Sequence, residues 1–202
     1  MRNEACPYGE HVSPHLPTLE DRLREQAMTQ RVLFLDGEIE QSLAGIVCLQ
    51  IEAMRLTGTE PLRIIINSRG GDVAYGAQLI AALRELIRSG IEVTAEVRGD
   101  ADSMAAIIAC CCSRLEMNPL SRLMFHGVAG LTWGDVQDHE AERQEMDRLT
   151  DELVEVVFGR VRNPSSRFAD RKFLRQILRD KRPTWIGPSE AMEAGIADAV
   201  LS

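Results

Sequence analysis

Aromatic residues are scarce in this 202-residue chain, at 4% of the whole, so its core has to be built from Leu, Ile, Val, Ala and Met. A basic excess is missing too. The 23 Lys and Arg stand against 31 Asp and Glu, a net charge of −8, which opposes a role on nucleic acid. Basic residues gather between Arg160 and Arg175, but Asp170 breaks the cluster, which reads as an ordinary solvated face. No apolar run approaches the roughly 20 residues of a membrane span, and the opening MRNEACPYGEH has no apolar stretch behind a basic start. Both absences point to a cytoplasmic protein without a membrane partner. No G-x-x-x-x-G-K-S/T loop is present to cradle a nucleotide phosphate. The five cysteines are an odd number, and the consecutive Cys110, Cys111 and Cys112 point in different directions around a helix. They cannot ligate one metal together, and read as small core residues in a reducing compartment.

What is present is an alternation. Residues 1–18 carry Pro7, Pro14 and Pro17 without periodicity and read as a flexible arm, which leaves 19–202 as a single domain of ordinary size. A short polar helix is expected over Leu19–Met28 and an apolar strand over Arg31–Ile39. Leu43, Ile46, Val47, Ile51 and Met54 then recur at helical spacing within Ser42–Leu56. Leu62–Ser68 is a strand apolar enough to be buried on both faces, and Arg69-Gly70-Gly71-Asp72 turns sharply into a helix over Val73–Arg88. The pattern repeats with a strand over Ile91–Val97, a Gly-Asp-Ala-Asp turn and an apolar helix from Ser103. A link over Leu115–Leu120 leads to a strand over Ser121–Gly130. Strands alternating with crossover helices make the class α/β. A long helix over Gly134–Arg162, dense in charge and bearing a narrow apolar stripe of Met146, Leu149, Leu153, Val156 and Val157, is expected to project toward another subunit; the alternative is that it packs that stripe along the domain edge. The tail reads as a helix over Ser189–Ala194, a Gly195 stop and a closing strand.

Three features carry candidate chemistry. Ser103 falls at the start of a helix, where unpaired backbone N–H groups such as that of Met104 could stabilise an oxyanion. The plain alternative is an N-cap. His126 follows 23 residues later (126 − 103) at the end of a strand, where it could serve as the base that a serine nucleophile needs. A structural histidine is the plain alternative there. Gly70-Gly71 sits at a strand-to-helix turn, where missing side chains let backbone N–H groups approach a ligand, or simply allow a tight turn.

In this order the features match a pattern. INSRGGDVAYG (Ile66–Gly76), GDADSMAA (Gly99–Ala106), SRLMFHGVAG (Ser121–Gly130) and SEAMEAGIADAV (Ser189–Val200) resemble the corresponding segments of the Clp protease proteolytic subunit, over roughly Leu23 to Leu201. The resemblance implies a spiral of strand-strand-helix units shared with crotonases, with Gly134–Arg162 as a handle helix between stacked heptameric rings. It implies that Ser103 is the nucleophile, His126 the general base, and the backbone N–H groups of Gly71 and Met104 the oxyanion hole. Unfolded peptides would be the substrates and an ATP-driven AAA+ unfoldase the partner, with no metal or other cofactor in the subunit. Some positions depart from the family. Arg69 stands where a proline is usual, Asp72 where a small or apolar residue is usual, and Asp102 where an alanine is usual. The place of the family's triad aspartate falls at Pro183. Asp180 is the candidate third catalytic residue if the loop 181–183 folds back, with Asp102 or Asp72 as alternatives from the other side. The resemblance therefore admits an active peptidase, a weak or silent ring component beside an active paralogue, or, more remotely, a crotonase-like enzyme acting on a coenzyme A thioester.

Overall fold

The computed structural model of the chain describes residues 18–127 and 136–202. The expected arm over 1–17 and the end of the expected strand over Ser121–Gly130 lie outside them. The elements run α1 (Leu19–Thr29), β1 (Val32–Asp36), α2 (Gln41–Thr57), β2 (Leu62–Ser68), α3 (Val73–Arg88), β3 (Val93–Asp102), α4 (Met104–Cys111), β4 (Arg114–Met117), β5 (Arg122–Phe125), α5 (Val136–Phe158), α6 (Arg171–Ile177), β6 (Thr184–Ile186), α7 (Pro188–Ala194) and β7 (Ala199–Val200). The α/β class holds. The sheet is parallel in the order β1-β2-β3-β4-β7, with β5 beside β3 and only β6 antiparallel, against β5.

β3 organises this sheet. Its first half pairs with β4 (Thr94–Val97 against Arg114–Met117), and its last three residues pair with β5 (Asp100–Asp102 against Arg122–Met124). The expected Gly-Asp-Ala-Asp turn is therefore strand, because β5 takes up the backbone hydrogen bonds that a turn would leave open. The expected link over Leu115–Leu120 is likewise in part a strand, β4, held between β3 and β7. Strand Leu62–Ser68 and helix Val73–Arg88 form over the residues expected.

The core is aliphatic, as the shortage of aromatics requires. Ile64, Ile66, Val93, Ala95 and Val97 bury one face of the sheet under α2, α3 and α4, and Met104 to Cys110 of α4 are all buried. Burial pushes the Cys110 thiol up to about 12 and that of Cys112 higher still, so both behave as apolar side chains. α5 ends at Phe158 rather than Arg162. Beyond Gly159 the chain leaves the helix so that Arg160 and Arg162 reach Asp198. The C-terminal part of α5 buries Thr150, Leu153, Val154 and Val157, while Arg143, Gln144 and Glu145 stay exposed. The helix is therefore docked at one end. Among the described residues no helix is long and apolar enough to cross a membrane.

On β3 the buried carboxylate of Glu96 accepts from Arg98 Nε at 2.5 Å and Arg63 Nη1 at 3.1 Å. Burial pulls its pKa up, but the two arginines outweigh this and leave it below its ordinary value of 4.5. A carboxylate depressed in the fold contributes stability that is present above the unfolded pKa and is lost as pH falls through the folded one. Glu96→Gln should therefore be less stable than the wild type in thermal unfolding at pH 7, with the gap narrowing as pH falls below the ordinary value of 4.5 and through the depressed folded one. A gap that does not narrow as pH falls would contradict this.

Candidate active site

β3 delivers Ser103 to the start of α4 in a conformation that regular structure does not use, with φ 54° and ψ −122°. Its side chain makes no capping hydrogen bond, so the cap alternative does not describe it. The strain of a non-glycine residue at positive φ persists only where its surroundings hold it. Here the Ser103 N–H donates to the Met124 carbonyl of β5 at 2.7 Å, and the main chain of Gly70 lies close on the other side. A Cβ on Gly70 would come within 2.8 Å of Ser103 Cβ and 3.0 Å of the Met104 nitrogen.

The Gly70-Gly71 turn is pinned by Ile39 of the β1–α2 connection. Ile39 N–H donates to the Gly70 carbonyl at 2.8 Å and its carbonyl accepts from Asp72 N–H at 2.9 Å. Gly71 lies between these two bonds, and its own N–H has no acceptor among the described residues. Met104 opens α4, where a helix cannot satisfy its own first N–H groups. Two unengaged backbone donors thus flank Ser103.

A cleft of about 810 Å³ joins these parts. Ser103, Met104, Gly71 and His126 all line it, and Ile107, Met146, Leu149, Leu153 and Leu178 supply an apolar wall. Met146, Leu149 and Leu153, part of the apolar stripe expected on the long helix, line this cleft. Among the described residues no group of three or more His, Cys, Asp or Glu could hold a metal ion.

The carboxylates around this cleft are mostly committed. Asp72 caps α3, its Oδ1 accepting from Ala74 N–H at 2.7 Å and Tyr75 N–H at 3.2 Å. Glu145 pairs with Arg148. Asp100 pairs with Arg122 at 2.9 Å, and that arginine also stacks over Trp185 at 4.2 Å. Asp180 approaches His126 through its main chain, its carbonyl accepting from Gly127 N–H at 2.6 Å. Its carboxylate is taken by Arg182, through the backbone N–H, Nε and Nη2, and those bonds hold it below the usual carboxylate range. Asp180 does not line the cleft. Asp102 differs from all of these. It is 5% exposed, and its Oδ1 has no hydrogen-bond partner. Burial first and then the Asp100 charge push its carboxyl above the usual range, against the opposing charges of Arg122, Arg69 and His126.

A family model described as Clp protease matches residues 19–202. The chain belongs to the Clp protease family. It is 28% identical over 207 residues to an ATP-dependent Clp protease proteolytic subunit 1 of Protochlamydia amoebophila, covering all of this chain and 95% of that protein. It is 26% identical over 198 residues to an ATP-dependent Clp protease proteolytic subunit of Carsonella ruddii, covering 92% and 96%. A proteolytic subunit 3 of Rhodococcus jostii is 27% identical over 188 residues, covering 90% and 86%. Within this Clp protease chain, β6 explains the difficulty at the third catalytic position. Phe125 pairs with Thr184 and Met124 with Trp185, so one further step in the same register sets Pro183 opposite His126. Proline has no N–H for the ladder and no carboxylate for the imidazole. β6 and α6 were not anticipated from sequence. A signal for α6 exists, with Asp170 as N-cap to Lys172 N–H and Phe173, Leu174 and Ile177 at helical spacing.

Proposed function

We propose that this Clp protease family chain is a serine endopeptidase subunit that cleaves unfolded polypeptides. Ser103 attacks the scissile carbonyl carbon, its Oγ proton passing to the His126 imidazole as the C–O bond forms. The oxyanion accepts from Gly71 and Met104 N–H. On collapse of the tetrahedral adduct the imidazole returns the proton to the departing amine, and water repeats the sequence to release the acyl group. The observation that carries the reading is the strained Ser103 backbone, wedged between Gly70 and β5 and flanked by two unengaged N–H donors in a cleft that also holds His126. By analogy with the family, the subunit works in the cytoplasm in stacked rings, alone or with a paralogue, and is fed by an AAA+ unfoldase.

A second reading is favoured by one observation. With proline opposite His126 and Asp180 closed off by Arg182, a weak or silent ring component is the alternative. The crotonase-like reading has no comparable support. Intact mass after exposure to a fluorophosphonate separates the first two. A single adduct is expected on the assembled wild type, none on Ser103→Ala, and labelling slowed about 10³-fold or more on His126→Ala. An assembled wild type that takes no adduct would instead make the silent component the better reading.

A further inference from the structure

The imidazole of His126 has no hydrogen-bond partner among the described residues, and the position that would ordinarily supply its carboxylate is Pro183. A base left to rotate freely loses most of its value, because orientation and tautomer are set by the group on its far nitrogen. Among the described residues one buried side-chain oxygen is unclaimed, Oδ1 of Asp102, and it lies on the neighbouring strand.

Asp102 pairs in register with Met124 in the parallel β3–β5 ladder. Residues two apart on a strand share a face, so the side chains of Asp102, Met124 and His126 project to the same side of the sheet. Two residues of rise and one strand spacing separate Asp102 from His126, roughly 8 Å between Cα atoms, within the combined reach of an aspartate and an imidazole that lean together. The core faces the other way, through Ala101, Leu123 and Phe125, all fully buried. A buried carboxylate with an unsatisfied oxygen is costly unless something beside it uses it.

The charges that act on Asp102 include those of Asp100, Arg122, Arg69 and His126. Arg122 is bound to Asp100 and stacked on Trp185. Asp100 repels. Arg69 is exposed on the loop before Gly70 and is the real competitor for the carboxylate.

We propose that Asp102, the residue immediately before the nucleophile, is the positioning residue for His126, holding the imidazole from the β3 side in place of the carboxylate that Pro183 cannot supply. Asp102 stays ionised and takes no proton; it orients the ring and stabilises the imidazolium formed when Ser103 Oγ gives up its proton. Among the described residues no hydrogen bond joins the two in the single chain; it closes when neighbouring subunits seat the ring, as catalytic hydrogen bonds commonly tighten only in the working complex. This inference rests on the reading of His126 as the base.

The test pairs a spectroscopic signature with kinetics. A low-field imidazole N–H proton is sought by NMR in the assembled wild type, Asp102→Asn, Asp102→Glu, Arg69→Gln and His126→Ala. The same proteins are assayed for fluorophosphonate labelling and for kcat and KM on a peptide. The expected result is a low-field proton in the wild type and Arg69→Gln that is absent from Asp102→Asn and His126→Ala. Asp102→Asn should lose about 10²- to 10⁴-fold in labelling rate and kcat with KM little changed, and Asp102→Glu should recover part of the loss. A wild type that labels while showing no such proton, or one whose proton survives in Asp102→Asn, overturns the proposal. So does an Arg69→Gln that loses as much as Asp102→Asn, since Asp102 would then serve the arginine. A wild type that does not label but has the Asp102-dependent proton sinks the peptidase reading and leaves the pairing standing. Should Asp102→Asn not assemble, Asp102→Glu decides the matter: a low-field proton moved from its wild-type position supports the pairing, and one left unchanged overturns it.

Discussion

Gly70→Ala should cost about 3 kcal/mol of stability and abolish fluorophosphonate labelling at once, although the residue carries no chemistry. Two effects add. Gly70 has φ +84°, a region where an L side chain costs about 1–2 kcal/mol. An added Cβ would also lie 2.5 Å from the Asp102 carbonyl oxygen and 2.8 Å from Ser103 Cβ, and forcing atoms into a filled site costs roughly 1–3 kcal/mol. The atoms in the way belong to the bend that carries the nucleophile, so relief can come only by moving Ser103 and Met104 away from the cleft. Gly37→Ala separates the two terms, because Gly37 has φ +102° with nothing within 4 Å of the added Cβ. Urea unfolding should rank Gly70→Ala well below Gly37→Ala, and only the former should stop labelling. Equal effects in both would mean that the close approach at Gly70 is not what holds Ser103.

Asp198→Ala should be the most damaging single change outside the cleft. Asp198 pairs with Arg160 and Arg162 and accepts from Leu115 N–H at 2.7 Å, so it ties the chain beyond α5 to the start of β4. The Arg160 side chain is only 10% exposed, and burial already pulls its pKa down. Removing the carboxylate takes the counter-charge from a buried guanidinium that keeps only the backbone carbonyls of Ile196, Cys112 and Ser113, and breaking such a pair costs about 3–5 kcal/mol. At about 2–4 °C per kcal/mol for a domain of this size, Tm falls by about 10 °C. Arg162 is 58% exposed, and Arg162→Ala should cost less than about 1 kcal/mol. Calorimetry on the two variants gives the ratio. Comparable losses would show that the buried charge is not the source.

Much of this molecule could be read from residue types, and the failures have physical causes. The strand Leu62–Ser68 and helix Val73–Arg88 were legible because a continuous apolar run, a Gly-Gly turn and a capping aspartate all agree at their boundaries. Gly99-Asp-Ala-Asp102 reads locally as a turn. It is strand because β5 supplies a ladder from a segment 22 residues away (122 − 100), which no local pattern reports. β4 was hidden for the same reason, four residues whose neighbours are β3 and the distant β7. At the site, Ser103, His126, Gly71 and Met104 could be named from sequence because a nucleophile, a base and two donors would each need a particular residue type or backbone position, and the fold brings all four to one cleft. Asp180 was the nearest carboxylate by number; only the packed structure reveals that Arg182 holds it. The orphan oxygen of Asp102 is a property of burial and register together, and sequence carries neither.

The handover of β3 from β4 to β5 also guards against a particular error of folding. Ser103 and His126 each follow directly on one of two strands joined by three residue pairs, Asp100–Arg122, Ala101–Leu123 and Asp102–Met124. Side chains alternate faces along a strand, so a slip of one residue in that short ladder would not merely displace His126; it would turn the imidazole into the core and bring Phe125 out into the cleft. Such a chain would forfeit the burial of its largest interior side chain there, together with Leu123, and would be unstable as well as inactive. Molecules that reach a stable fold therefore carry His126 on the same side of that ladder, because a slipped register is penalised by the burial it loses.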